Sequence, residues 1–213
     1  MTKGLRKKLI RLAKKKITTK DISHDFQHSV RVLDLAEKIA KDEGADFDII
    51  IPAALFHDVV IYPKNDPRGR NESDKSAKYT QRLLMSIKEY PKHKIDKVQT
   101  AIRQCSFSKS IVPNLIEAKI LQDADRLEAT GAISIMRTFS STGQMKRPFY
   151  NPDDPFCENR KPTPKNYALD LFYTRLLKVE GMMYTKKARE LAKRRTKFLT
   201  NFLQELRLEL DGK

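Results

Sequence analysis

The sequence has little of what marks membrane, secreted and zinc-finger proteins. None of its apolar runs approaches the roughly 20 residues that a membrane-spanning helix needs, and its basic N-terminus has no apolar core of the secretory type. The two cysteines, Cys105 and Cys157, do not have the spacing of a metal site. Two free thiols in a reducing compartment are the simpler expectation, with one disulfide as the alternative. These absences predict a cytoplasmic protein without a membrane partner.

Glycine is scarce, with only seven residues in 213, and alternating strand-like patterns are hard to find. Apolar residues instead recur with helical periodicity along most of the chain. The length suits one sizeable core. The sequence therefore predicts an all-α protein, a multi-helix bundle in a single domain over 1–213. Its core would cover about 21–206 and follow a basic N-terminal helix at 3–20.

Acidic residues are outnumbered, with 27 Asp and Glu against 43 Lys and Arg, which gives a net charge of +16. The excess is concentrated at 3–20, where nine basic residues occur without an acid, and at 186–197, where seven occur with Glu190 alone. Such clusters favour anionic partners such as phosphorylated metabolites or nucleic acid. The alternative for each cluster is a solvated helix face. Aromatic residues do not interleave with the basic ones, which argues against a base-stacking platform.

Histidine is also rare, and three of the four histidines lie beside aspartates or on apolar helices. His28 lies on a predicted amphipathic helix that ends near Gly44. The pair His57-Asp58 lies in the run AALFHDVV, within a predicted helix at 47–60 that is apolar nearly all round and therefore buried. Pro52 lies early in this run, so the helix itself is expected to begin there. A charge in such a place is expensive unless it is paired or bound to metal.

A third predicted helix, at 114–130, places acids in an otherwise apolar face within the segment ILQDADRLEA. These acids are Asp123, Asp125 and Glu128. Two imidazoles with two carboxylates suit one divalent ion among Mn, Mg, Fe, Ni and Zn, and we favour manganese. The competing interpretation is that the histidines are core residues satisfied by hydrogen bonds.

The order of these residues, a histidine, then His-Asp, then a buried aspartate, resembles the HD superfamily of metal-dependent phosphohydrolases. The segments SHDFQHSVRVLDLAEKIA, AALFHDVVIYPKNDPR, KILQDADRLEATGAISIMRTF and YALDLFYTRLLKV resemble one bacterial-type subfamily of these hydrolases. The likeness extends over nearly the whole chain. It implies a compact helical bundle around a single metal site, and hydrolysis of a phosphate ester or anhydride, often of a nucleotide.

Matched position by position, the resemblance makes His28 the first metal ligand and His57 with Asp58 the central pair. In the family pattern the last metal aspartate directly precedes a residue–Leu pair, which favours Asp125 and leaves Asp123 as the alternative ligand. The two cannot both face one ion on a regular helix, because they are two residues apart. Asp58 is also the predicted catalytic residue, since it can accept a hydrogen bond from the attacking water.

Residues near the four predicted ligands are candidates for supporting roles. Two neighbours of His28 would orient its ring or act as alternative ligands: His24 and Asp25. Two cations would bind substrate phosphate: Lys64 and Arg126. Two carboxyl groups are candidate proton donors to the leaving group: Glu72 and Asp66.

The chain departs from the subfamily at two points. It has CSFS at 105–108 where the subfamily has HSFS, and DLFY at 170–173 where the subfamily has DHFY. Cys105 and Leu171 therefore replace histidines expected near the substrate, which favours one metal over two. The predicted function is hydrolysis of a nucleotide or pyrophosphate-like substrate by metal-activated water. The alternative is a catalytically weak scaffold that binds a nucleotide or nucleic acid; the oligomeric state stays open.

Overall fold

The structure, a computed structural model, describes residues 1–18, 24–62, 66–106, 109 and 111–213. Within these ranges the chain has nine α-helices and no β-strand, which confirms the predicted all-α class. The helices are α1 (Lys3–Lys16), α2 (Phe26–Glu43), α3 (Phe47–Phe56), α4 (Glu72–Ser86), α5 (Ile95–Cys105), α6 (Ile116–Leu127), α7 (Ala132–Gln144), α8 (Asp170–Thr174) and α9 (Lys186–Leu210). Among the described residues, no helix is both long and apolar enough to cross a membrane.

The chain forms two compact units, Met1–Asp125 and Arg126–Lys213, and the division falls inside α6. That one domain spans 1–213 stays a prediction. Each unit has buried apolar residues of its own.

In the first unit, α3 lies at the centre and packs against α1, α2, α4 and α5. Every residue from Ile49 to Phe56 is buried, including three successive isoleucines. A helix surrounded on all sides has no polar face, which explains its continuous apolar sequence. The residues that follow its last turn therefore begin inside the core.

The prediction that this helix begins at Pro52 is wrong. It begins at Phe47, where the Asp46 side chain caps it by accepting a hydrogen bond of 2.8 Å from the Asp48 amide. Proline has no N–H, so it cannot donate to the carbonyl four residues earlier, that of Asp48. The Tyr90 hydroxyl donates to this carbonyl at 2.8 Å. A side chain from outside the helix thus compensates for the proline.

In the second unit, α8 and α9 share an apolar core whose buried members are Leu169, Phe172, Leu176, Leu199 and Leu203. The irregular segment before α8 is fastened to it by the buried Asp170 carboxylate. Arg160 donates to that carboxylate in a bidentate pair at 2.5 and 2.7 Å, and the Thr163 amide donates at 2.5 Å. Cys105, in the first unit, and Cys157, in the second, are both free thiols, as predicted.

Candidate metal centre

Side chains from three parts of the first unit converge on one point. His28 comes from α2, His57 and Asp58 follow the last residue of α3, and Asp125 comes from α6. The His28 Nε2 atom lies 3.7 Å from the Asp58 carboxylate and 3.5 Å from that of Asp125. The His57 Nε2 atom lies 3.5 Å and 3.8 Å from the same two carboxylates.

These distances fit a shared divalent ion. Ligands that each lie about 2.1 Å from one ion stand roughly 3 to 4 Å from one another. His28, His57 and Asp125 each offer one ligand atom, and these three atoms lie within 4.8 Å of one another. Asp58 is outside this group of three, but its carboxylate lies 3.7 Å and 3.5 Å from the same two imidazole nitrogens. Two neutral imidazoles and two carboxylates would also balance the charge of a divalent cation.

His57 is oriented as a metal ligand should be. Its Nδ1 atom lies 2.8 Å from the Ala54 carbonyl oxygen. A carbonyl only accepts, so this hydrogen bond requires the proton on Nδ1, and the neutral ring then has its lone pair on Nε2. The Nε2 atom is buried and has no hydrogen-bond partner among the described residues. A buried polar atom of this kind normally has a partner, and a metal ion would supply it.

His28 is held at the first turn of α2. Asp25 caps this helix, and its carboxylate accepts a hydrogen bond of 2.8 Å from the His28 backbone amide. The His24 ring meets the His28 ring edge-on with centroids 5.7 Å apart, and the His28 and His57 rings are 5.3 Å apart. Asp25 thus fixes the backbone of His28, whereas His24 lies against its ring. That either residue orients the ring for metal binding stays a prediction.

The carboxylates face solvent more than the imidazoles do. The side chains of Asp58 and Asp125 are 31% and 25% exposed, against 0% for His28 and 2% for His57. Burial by itself would raise the pKa of Asp58, but the neighbouring imidazoles of His57, His28 and His24 together hold it well below its usual value. Asp58 is therefore ionised and accessible to water, while the imidazoles form the interior side of the centre.

Of the two aspartates in α6, the structure places Asp125 beside both imidazoles. Asp123 is fully buried. This is the geometry expected of residues two positions apart, which point to different sides of a helix. It supports Asp125 over Asp123 as the fourth predicted ligand.

The structure does not test the two predicted phosphate-binding cations. Lys64 lies outside the described residues. Arg126 belongs to the second unit, where its guanidinium donates to the Met182 carbonyl at 2.8 Å and lies over the Tyr184 ring. A phosphate-binding role for either residue stays a prediction.

The N-terminal half of α4 fastens the segment that follows Asp58. The Glu72 carboxylate accepts a hydrogen bond of 2.6 Å from the Tyr62 amide, and the Ser76 hydroxyl accepts one of 3.1 Å from the Val60 amide. The role of Ser76 was missed in the sequence, although its position one helical turn after Glu72 was a usable signal. The two side chains restrain the chain directly after the His-Asp pair.

Glu72 and Asp66, the two candidate proton donors, have opposite electrostatic environments. Burial raises the pKa of Glu72 and the negative charge of Asp58 adds to this effect, although the Tyr62 amide opposes it. A hydrogen bond from the Arg68 side chain lowers the pKa of Asp66, which also caps the 3-10 turn Pro67–Asn71. Only the environment of Glu72 favours a protonated acid.

The two positions at which histidine is replaced lie in different units. Cys105 is the last residue of α5 and is buried, whereas Leu171 is a half-buried residue of α8. Phe107 and Ser108, which follow Cys105 in the CSFS segment, lie outside the described residues. That these positions lie near a substrate stays a prediction.

Comparison with known proteins is consistent with this geometry. The HD domain family model matches residues 25–130, which include all four converging side chains. The YpgQ protein of Bacillus subtilis is 32% identical over 200 residues, covering 92% of this chain and 89% of YpgQ. The crystal structure of YpgQ in complex with ADP has a TM-score of 0.73 at 30% identity, with 97% of this chain and 95% of that chain covered.

A crystal structure described as an HD-superfamily hydrolase from Bacillus thuringiensis is also similar. It has a TM-score of 0.71 and 29% identity, and the match covers 99% of this chain and 98% of that one. Sequence and structure thus agree over almost the full length of both relatives. The chain belongs to the HD-domain family of hydrolases.

Proposed function

We propose that this protein is a divalent-metal-dependent phosphohydrolase and that its ion is held by His28, His57, Asp58 and Asp125. The observation that carries the proposal is that the Nε2 atoms of His28 and His57 each lie 3.5 to 3.8 Å from the carboxylates of both Asp58 and Asp125. Such a ligand set, half nitrogen and half oxygen, suits Mn and its neighbours in the first transition series.

A divalent ion supplies two effects to phosphate hydrolysis, because it lowers the pKa of bound water and offsets the charge on the phosphoryl oxygens. The residues around it divide the remaining work. The imidazoles of His28 and His57 fix the position of the site from the interior. Asp58, ionised and 31% exposed, can accept a proton or a hydrogen bond from water on the solvent side. Glu72, whose pKa is raised by burial, is the better placed electrostatically of the two candidate acids for the leaving group.

A nucleotide is the substrate class that we favour. The support is the ADP complex of YpgQ, which is 30% identical to this chain. A nucleoside di- or triphosphate contains phosphoanhydride bonds, whose negative oxygens repel a nucleophile unless a cation offsets them. Lys64 and Arg126 remain the candidates to bind those oxygens.

The test is phosphate release from nucleotides and pyrophosphate in the presence of Mn, Mg, Ni, Co or Zn. Asp58→Ala should lower metal-dependent kcat at least about 100-fold, since loss of the metal's electrostatic contribution is worth several kcal/mol. The matched control is Asp96→Ala, at an exposed aspartate in α5, which should retain wild-type turnover.

Two results would contradict the proposal. Unchanged turnover in Asp58→Ala would remove the metal centre from the reaction. Nucleotide binding without phosphate release under every metal would instead favour the alternative of a ligand-binding scaffold, for which the replaced histidines at Cys105 and Leu171 give a reason.

A further inference from the structure

The exposed face of α1 is a strongly basic surface of the first unit. The 14 residues of this helix include eight Lys or Arg and no acid. Two of the basic residues are neutralised, because Arg6 pairs with Glu37 at 2.6 Å and Lys8 pairs with Glu89 at 3.1 Å. Lys16 lies over the Tyr79 ring. The others form no ion pair with any residue that the structure describes.

Four of these unpaired cations lie on one stripe. Lys3, Lys7, Arg11 and Lys14 are all exposed, and their spacings of four, four and three residues place them on the same helix face. With a rise of about 1.5 Å per residue, the stripe is about 16 Å long. Four like charges in a row repel one another, which destabilises an isolated helix. A bound polyanion would offset this repulsion by attracting all four charges.

The opposite face of α1 excludes one class of polyanion. Leu5, Leu9 and Ala13 are buried, and α1 packs against α3 in the first unit. A helix that binds a lipid surface inserts its apolar face into the headgroup region. That face is already occupied in α1, so what the helix offers outward is charge alone. This arrangement suits a rigid array of phosphates better than a membrane.

We propose that the stripe Lys3, Lys7, Arg11 and Lys14 binds the phosphate backbone of duplex DNA without reading its sequence. Unpaired bases stack on exposed aromatic side chains, and α1 has none. The helix therefore offers a single strand no stacking contact beyond its charges. The major groove of B-DNA, about 12 Å wide, has phosphate edges that an α-helix can approach, whereas the corresponding groove of an RNA duplex is deep and narrow.

A second basic helix provides a matched control. In the first half of α9, Lys187 pairs with Glu190, and Arg189 donates to the Met183 carbonyl. Four other basic residues in this half of α9 are exposed: Lys186, Lys193, Arg194 and Lys197. Neutralising them removes as many positive charges as neutralising the stripe on α1. A difference between the two fourfold variants therefore reports on position and not on net charge.

The experiment measures the binding of the full-length protein to a labelled mixed-sequence DNA duplex by fluorescence anisotropy over a range of salt concentrations. Four phosphate contacts predict a slope of about −3.6 for log Kobs against log salt, or a loss of about 150-fold between about 50 and about 200 mM salt. Replacing Lys3, Lys7, Arg11 and Lys14 by Gln should make the slope about −1 or shallower. Glutamine keeps the helix propensity, and circular dichroism checks that the variant is folded.

The α9 variant should keep both the affinity at low salt and most of the slope. An equal loss in the two variants would overturn the proposal, because net charge would then explain the binding. Tighter binding to a single strand or an RNA duplex, or binding to anionic vesicles in place of DNA, would overturn it as well. The rate of hydrolysis at the metal centre should be the same in the wild-type protein and both variants. The outcome of the DNA-binding test therefore does not depend on whether the protein hydrolyses phosphate.

Discussion

Removing one hydroxyl group from Tyr90 tests how the central helix α3 tolerates its internal proline. Tyr90 is 2% exposed and donates to the Asp48 carbonyl at 2.8 Å. Tyr90→Phe keeps the ring in its place and deletes only this donor. The carbonyl then lacks both the hydroxyl and its regular helical donor, which would be the N–H of residue 52.

The expected cost is about 1 to 2 kcal/mol in the free energy of unfolding, which is the penalty for a partly buried carbonyl that loses its partner. Pro52→Ala supplies a backbone N–H to the same carbonyl. In that background Tyr90→Phe should therefore cost less, with a coupling energy of about 1 kcal/mol between the two positions. Urea denaturation followed by circular dichroism measures all four proteins of the cycle.

A matched control is Tyr79→Phe. Tyr79 is half-buried and its hydroxyl forms no hydrogen bond with the described residues, so the change should stay within about 0.5 kcal/mol. The reasoning is refuted if Tyr90→Phe destabilises both backgrounds equally, because the hydroxyl would then act through something other than the proline gap. It is also refuted if Tyr79→Phe costs as much as Tyr90→Phe.

Two further predictions concern the metal centre and a thiol. Manganese at about 100 times its Kd should stabilise the wild-type protein by about 2.7 kcal/mol in thermal denaturation. His57→Ala should lose this stabilisation, and the control His93→Ala, at an exposed histidine, should keep it. Burial and then Asp170 raise the pKa of Cys157 to about 11 from 9.0, so iodoacetamide at neutral pH should alkylate it about 100-fold more slowly than an ordinary thiol. A pH–rate profile checks this, and a midpoint near the ordinary value would contradict it.

Much of the metal centre was predictable because burial and charge conflict there. A histidine and an aspartate at the end of a fully apolar run require a partner, and only a few other side chains in the chain could supply one. Periodicity could not choose between Asp123 and Asp125, since both lie in an apolar helix. The choice of Asp125 came from the resemblance to the HD superfamily, and the structure supports it with distances of 3.5 and 3.8 Å to the two imidazoles.

What the sequence could not predict depended on residues far apart in the chain. Pro52 was expected to begin its helix because proline suits a first turn. It lies inside the helix because Tyr90, 38 positions later, donates to the carbonyl that the proline leaves without a partner. A local pattern contains no information about that hydroxyl. The Ser76 hydroxyl, which accepts a hydrogen bond from the Val60 amide, was missed for a different reason, because its position one helical turn after Glu72 was a local signal that was not used.

Helix α3 ends at Phe56 and not at residue 60 as predicted. This early end explains how two adjacent residues, His57 and Asp58, can both face one ion. If the helix continued, the side chains of neighbouring residues would point about 100° apart. The Ala54 carbonyl would then accept its hydrogen bond from the backbone N–H of residue 58. Where α3 ends, the Ala54 carbonyl instead meets His57 Nδ1 at 2.8 Å, which leaves the lone pair on Nε2. Asp58, now in a turn, reaches to 3.5 Å from that same Nε2 atom. The interruption of the helix therefore sets both the tautomer of the histidine and the direction of the aspartate, so a substitution that extended α3 through Asp58 should weaken metal binding without removing any ligand.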